Sequence, residues 1–134
     1  MNEEEPAPES PSITQSHSLL STHSVLATYA GTHTRPTLLE PNTPRVDATW
    51  ADFNIVEYTK YEKRSVYGDD QLEEIAFQPR EQSEDFNFAL SSLVAGDQVW
   101  ITWEHRYVTE NEQVSSSHES SKQWAERVVT YFEK

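Results

Sequence analysis

His105 shares the apolar phase of an alternating run with Val99, Ile101, Trp103, Tyr107 and Thr109. An imidazole titrates near neutrality, so one held on the inward face of a strand can act as a general base. Glu57 is a second candidate, in phase with Phe53 and Ile55. A buried carboxyl there would have a raised pKa and could serve as an acid. Glycoside hydrolysis needs two carboxyls at a set separation, and Glu57 with Glu104 is one pairing the sequence offers. No Gly-x-Ser-x-Gly elbow accompanies His105 to supply a nucleophile.

Metal chemistry has little to draw on. His17, His23 and His33 fall near one another in sequence, but no His-x-His or His-Glu-x-x-His motif is present and the chain has no Cys. The 69–85 segment is acidic, yet it lacks the alternating oxygen ligands and central Gly of a calcium loop. Three Gly in the whole chain leave no phosphate-cradling loop. The expectation is a protein with no metal and no cofactor.

Two features fit contact with another protein. The first is the 69–85 segment, with Asp69, Asp70, Glu73, Glu74, Glu81, Glu84 and Asp85 against one base, Arg80. Such a run can steer a basic surface toward itself, or simply keep a sheet edge solvated. The second is Trp100. It falls on the polar phase of the strand that carries His105, beside Glu104 and Arg106, and an aromatic with Arg is a common interface anchor. Pro8–Pro11 and Pro41–Pro44 also fit P-x-x-P, a polyproline pattern, and Ser10 and Thr43 precede Pro as candidate phosphorylation sites.

Charge excludes other partners. Asp and Glu number 23 against 10 Lys and Arg, for a formal charge of -13. Nucleic-acid affinity rests first on cations that neutralise phosphates, and anionic membranes select the same residues. No apolar run approaches the ~20 residues of a membrane helix. The opening MNEEEPAPES has neither the basic start nor the apolar stretch of a secretory signal. These readings lead to the expectation of a soluble, cytoplasmic protein.

The elements that must position these residues read as strands. Residues 1–16 hold Glu3, Glu4, Glu5 and Glu9 with three Pro, and are expected to be a disordered acidic tail, with one β domain over 17–134. Alternation, with no three-turn helical period, predicts six strands at 18–30, 46–61, 71–78, 85–91, 98–109 and 122–132. A bulge at Ala51-Asp52 would reconcile the two phases of the second strand. Gly96-Asp97 marks a turn, residues 31–45 read as a Pro-rich loop, and 110–121 as a long exposed hairpin loop. The predicted fold is all-β, a small antiparallel barrel or a two-sheet sandwich.

Three functions follow, in order. The first is a non-catalytic module that binds a basic protein surface through Asp69, Asp70, Glu73 and Glu74, or through Trp100, Glu104 and Arg106. The second is a small barrel that carries an apolar or aromatic ligand. The third is a hydrolase or isomerase built on His105. A closed pocket would favour the carrier, and His105 beside another titratable group in a cleft would favour the enzyme.

Overall fold

The structure is a computed structural model and describes residues 12–37, 46–115 and 118–134. Among the described residues there are five strands: β1 (Ser12–Thr37), β2 (Val46–Lys63), β3 (Glu74–Phe77), β4 (Gln98–Ser115) and β5 (His118–Glu133). They form one antiparallel sheet in the order β3-β2-β1-β4-β5, with the longest strand at its centre. A 3-10 turn, Pro79–Glu81, and a short helix, α1 (Glu84–Leu90), follow β3. The all-β expectation holds. The sheet is not closed, since β3 and β5 remain its two edges.

Strand alternation is clearest in β1. Ser21, His23, Val25, Ala27 and Tyr29 are all buried, and the residues between them are half-buried. β4 repeats the pattern with Val99, Ile101, Trp103 and His105. Register shifts fall at Ser24/Val25, Leu26/Ala27 and Tyr29/Gly31 against β2, and at Leu19/Ser21 against β4. Each shift adds local twist, and together they coil the sheet. The coil brings strands from opposite sides of the sheet into contact. Phe53 of β2 meets Phe132 of β5 edge-on, with centroids 5.8 Å apart, and Phe77 of β3 meets Trp103 of β4 at 5.7 Å. These rings, with Val25, Ile75, Phe86 and Ile101, fill the concave face as one core. Aromatic burial of roughly 150–250 Å² per ring is the main source of stability open to so small a β domain.

Several expectations are corrected. Residues 85–91 are helix, not strand. Ser83 caps α1 by accepting from the Phe86 N–H at 3.1 Å, and Glu84 and Asp85 occupy the positive first turn. Phe86 and Leu90, four apart, are the buried residues, and Phe88 is exposed. Of the expected 110–121 loop, residues 110–115 continue β4 and 118–121 begin β5, paired as far as Ser115 with His118. β1 runs past Gly31 to Thr37 and back to Ser12, where Ser12–Ser16 pair with Thr109–Gln113. Residues 1–11 of the expected tail lie outside the described residues, as do the Pro8–Pro11 motif with Ser10 and the Pro41–Pro44 motif with Thr43. The bulge expected at Ala51-Asp52 sits across from it, on β1, where Ala30 has no β2 partner. Tyr107 is exposed and Val108 buried, because the phase of β4 inverts beside the Leu20 irregularity in β1.

Candidate functional site

The open edges of the sheet face one another across a cleft. The segment from Gln78 to Leu90 crosses the gap, and Gln82 fastens it to β5. The Gln82 Nε2 donates to the Arg127 carbonyl at 2.9 Å, and the Val129 N–H donates to Gln82 Oε1 at 2.9 Å. One side-chain amide thus substitutes for the backbone of a missing strand. A second fastening lies nearby. Arg127 donates two hydrogen bonds to the Asp69 carboxylate, from Nε at 2.7 Å and Nη2 at 2.9 Å. This bidentate pair ties the segment after β2 to the edge strand β5.

The cleft has a volume of about 800 Å³. Its apolar walls are Trp50, Phe77 and Trp124, and its polar lining includes Gln82, His105 and Arg127. Both cations at its rim are paired, while Glu81 and Glu126 also line it. Arg127 is paired with Asp69, Arg106 lies 2.7 Å from Glu104, and Glu126 accepts from the Trp124 indole at 3.1 Å. With both arginines paired, the lining offers an anion no open cation.

Behind His105 lies a buried polar cluster. Its Nδ1 is 3.5 Å from Asp69 Oδ2 and is fully buried with no hydrogen-bond partner among the described residues. His23 is the other histidine of the cluster and is completely buried. Its Nε2 is 2.8 Å from Ser21 Oγ and its Nδ1 is 3.1 Å from the Tyr58 hydroxyl. Trp103 stacks on it at 4.6 Å with the planes nearly parallel. The Asp69 N–H donates to Ser21 Oγ and the Leu72 N–H to the Tyr58 oxygen, so both hydroxyls are themselves held by backbone.

Burial sets the charge states of this cluster. It lowers the His23 pKa to about 4 against the opposing pull of Asp69, with the positive charges of His105 and Arg127 adding to the fall. Burial also holds His105 below its ordinary value, with Asp69 opposing and Arg127 assisting. Burial pushes the Asp69 carboxyl up, but the Arg127 hydrogen bonds and charge outweigh it, and the net shift is downward. At neutral pH the cluster is therefore two neutral imidazoles around one ion pair.

The sequence-derived candidates separate into three places. Asp69 is not a free surface charge, because only 13% of its side chain is exposed and Arg127 holds it. Asp70 pairs with Lys63 at 2.7 Å on the surface, and Glu73 and Glu74 are exposed. Trp100 is 44% exposed on the convex face, in a shallow depression with Ser24, Thr59, Thr102 and Tyr131, while Glu104 and Arg106 pair with each other farther along β4. Glu57 is exposed, because the register shifts around Leu26 slip the phase of β2 after Ile55 and turn Tyr58 inward. The Glu57 pairings for acid–base work are thereby removed. His33 bonds Asp52 and His17 is exposed, so the three N-terminal histidines share no site. Among the described residues no group of three or more His, Asp or Glu is placed to hold a metal ion.

Sequence reasoning missed Ser21, Gln82, Trp50, Trp124 and Arg127 as parts of this site. The test that singled out His105, a polar residue in an apolar phase, would also have found Ser21 and His23 in β1. Nothing local marks Gln82 or Arg127, whose roles arise from the meeting of two edges 45 residues apart. Among the described residues no helix is long and apolar enough to cross a membrane. Comparison with protein-family models, with curated proteins and with solved structures finds no match for the chain.

Proposed function

We propose that this domain binds a small, uncharged, largely aromatic ligand in the cleft between the two sheet edges. The coiled sheet is read as an incomplete barrel, with the missing strand replaced by the Gln82 latch and the ligand. The observation that carries the reading is the cleft itself. About 800 Å³ lies within the ~300–1,000 Å³ of small-molecule sites, and the walls combine apolar rings with a few convergent polar groups. The rim argues against an anionic guest, since an anion would have to compete with Asp69 for Arg127 and would meet Glu81 and Glu126. Titration with N-phenylnaphthylamine, a neutral aromatic fluorophore, tests the proposal. Its emission should rise and saturate on the intact protein, and Trp124→Ala should weaken binding at least tenfold. Unsaturable emission, or binding indifferent to Trp124→Ala, would remove the cleft as the site.

A second reading is docking of a basic protein on the convex face and the acidic segment. It is favoured by the exposure of Trp100 and Tyr131, which border one depression with Glu133. Asp69 takes no part in it, which leaves Asp70, Glu73 and Glu74 as the available charges. Association through them should weaken with salt and with Glu73→Gln and Glu74→Gln, and capture that ignores both changes would exclude it.

A further inference from the structure

We propose that His105 is a general base in the cleft, positioned by Asp69, and that the domain moves a proton on an uncharged aromatic carbon acid bound there. The inference rests on the ligand-binding reading above and adds a reaction to it. Its basis is geometric. His105 lines the cleft, yet its Nδ1 is buried, lacks a hydrogen-bond partner and lies 3.5 Å from Asp69 Oδ2. A proton on Nδ1 meets the carboxylate, and the nitrogen left for a ligand is Nε2 with its lone pair. That is the tautomer a base requires, and such contacts are commonly long before substrate is bound.

Asp69 cannot drift from this position. Both of its oxygens are held by Arg127, and its own N–H is tied to Ser21. The groups facing His105 are Asp69 from the segment after β2, Arg127 from β5, and His23 from β1. His23 has both nitrogens engaged by hydroxyls and no exposure, so it does not compete for substrate. Burial keeps His105 neutral at pH 7 and ready to accept a proton.

The step is balanced without a co-reactant. The substrate C–H bond breaks, its electron pair enters a new double bond of an enol or enolate, and Nε2 takes the proton. A C=C conjugated with that enolate spreads the pair to its far carbon, the imidazolium returns the proton there, and the product is the isomer with the double bond moved next to the carbonyl. Glu57 and Glu104 have no part in this step, since one is on the surface and the other is paired with Arg106. The substrate class is a flat, neutral aromatic molecule with a C–H placed between a carbonyl and a C=C.

Nitrobenzisoxazole is a direct probe of such a base. A base takes its ring C–H proton, the released pair completes a nitrile, and the N–O bond breaks to a coloured nitrophenolate. The full chain should turn it over about 100-fold faster than the same concentration of free imidazole, within the usual ~10²–10⁴-fold range for positioned acid–base groups. N-phenylnaphthylamine should inhibit competitively. His105→Gln should abolish the excess rate while retaining fluorophore binding, which also reports an intact fold. The wild-type rate should fall as acid protonates His105, below its ordinary value of 6.5. Asp69→Asn should lower the rate and move that midpoint further to acid, a shift that a merely structural role would not produce. Fluorophore binding without excess turnover, or turnover that survives His105→Gln, would overturn the base and leave the ligand site standing. Absence of fluorophore binding would overturn both.

Discussion

Acid should unfold this domain through His23. The imidazole is completely buried between Trp103, Tyr58 and Tyr61, and its pKa is lowered from 6.5 to about 4. Above pH 6.5 the group is neutral in both the folded and unfolded states and contributes nothing to pH dependence. Between 6.5 and about 4 the unfolded chain binds a proton that the folded chain refuses, so stability falls as pH falls through that window. Each pKa unit is worth about 1.4 kcal/mol, which makes the full loss about 3 kcal/mol and the loss by pH 5 about 2 kcal/mol. Against a typical total of ~5–15 kcal/mol this is a large fraction. His105 adds a loss of the same sign, its folded pKa also being lowered. Asp69 acts in a lower window. Its folded pKa lies below 3.8, so its contribution is present above 3.8 and disappears only as pH falls through the folded value. Urea unfolding followed by Trp fluorescence at pH 7, 6, 5 and 4.5 measures the slope. His23→Gln, which keeps a neutral hydrogen-bonding side chain, should flatten most of it. An unchanged urea midpoint between pH 7 and 4.5, or a His23→Gln variant with the whole wild-type slope, would refute the reasoning.

Three further outcomes follow from the packing. Trp103→Ala should cost about 3–5 kcal/mol, since the ring is fully buried between His23 and Phe77, whereas Trp100→Ala should stay within about 0.5 kcal/mol; equal losses in a denaturation experiment would contradict the burial split. Gln82→Ala removes two hydrogen bonds to the β5 edge and should cost about 2 kcal/mol, with faster amide exchange at Val129, and unaltered exchange there would show that the latch is not holding the edge. Gly68→Ala would place a Cβ 2.4 Å from the Leu20 carbonyl oxygen and 3.0 Å from Ser21 Cβ, so it should destabilise by about 1–3 kcal/mol and disturb the cluster beside Asp69; a neutral substitution would mean that the 64–70 segment shifts freely.

The parts of the fold that were legible in the sequence are those where one period ran unbroken. Val99 to His105 alternates in sequence and in burial, and Trp103 inside with Trp100 outside follows directly. The Gly96-Asp97 turn was equally plain, with Gly96 at φ 102° and the Asp97 carboxylate accepting from Val94. Legibility failed at α1 because Phe86, Phe88 and Leu90 alternate as a strand would. The Ser83 cap with Glu84 and Asp85, and the Phe86/Leu90 spacing, were the stronger signals. It failed again where bulges slip the phase, as at Glu57 and Tyr107, since a one-residue slip reverses every side chain beyond it. The site was half legible. His105 stood out by residue type and phase, but its partners Asp69 and Arg127 converge only through the coiling of the whole sheet. The acidic run marks Asp69 as a charge available to a basic partner for the same reason: a local run carries no sign of the one member that a distant Arg withdraws.

The four Trp residues allow the central claim to be measured in one experiment. Trp50 and Trp124 wall the cleft, Trp103 is in the core and Trp100 is on the convex face. In a 1H–15N spectrum each indole gives its own signal, and N-phenylnaphthylamine can be titrated against all four at once. The account predicts that the Trp50 and Trp124 indole signals shift together along one saturable curve while that of Trp100 stays in place. A Trp100 signal that moves while those of Trp50 and Trp124 remain fixed would contradict it and place the binding surface on the outer face of the sheet.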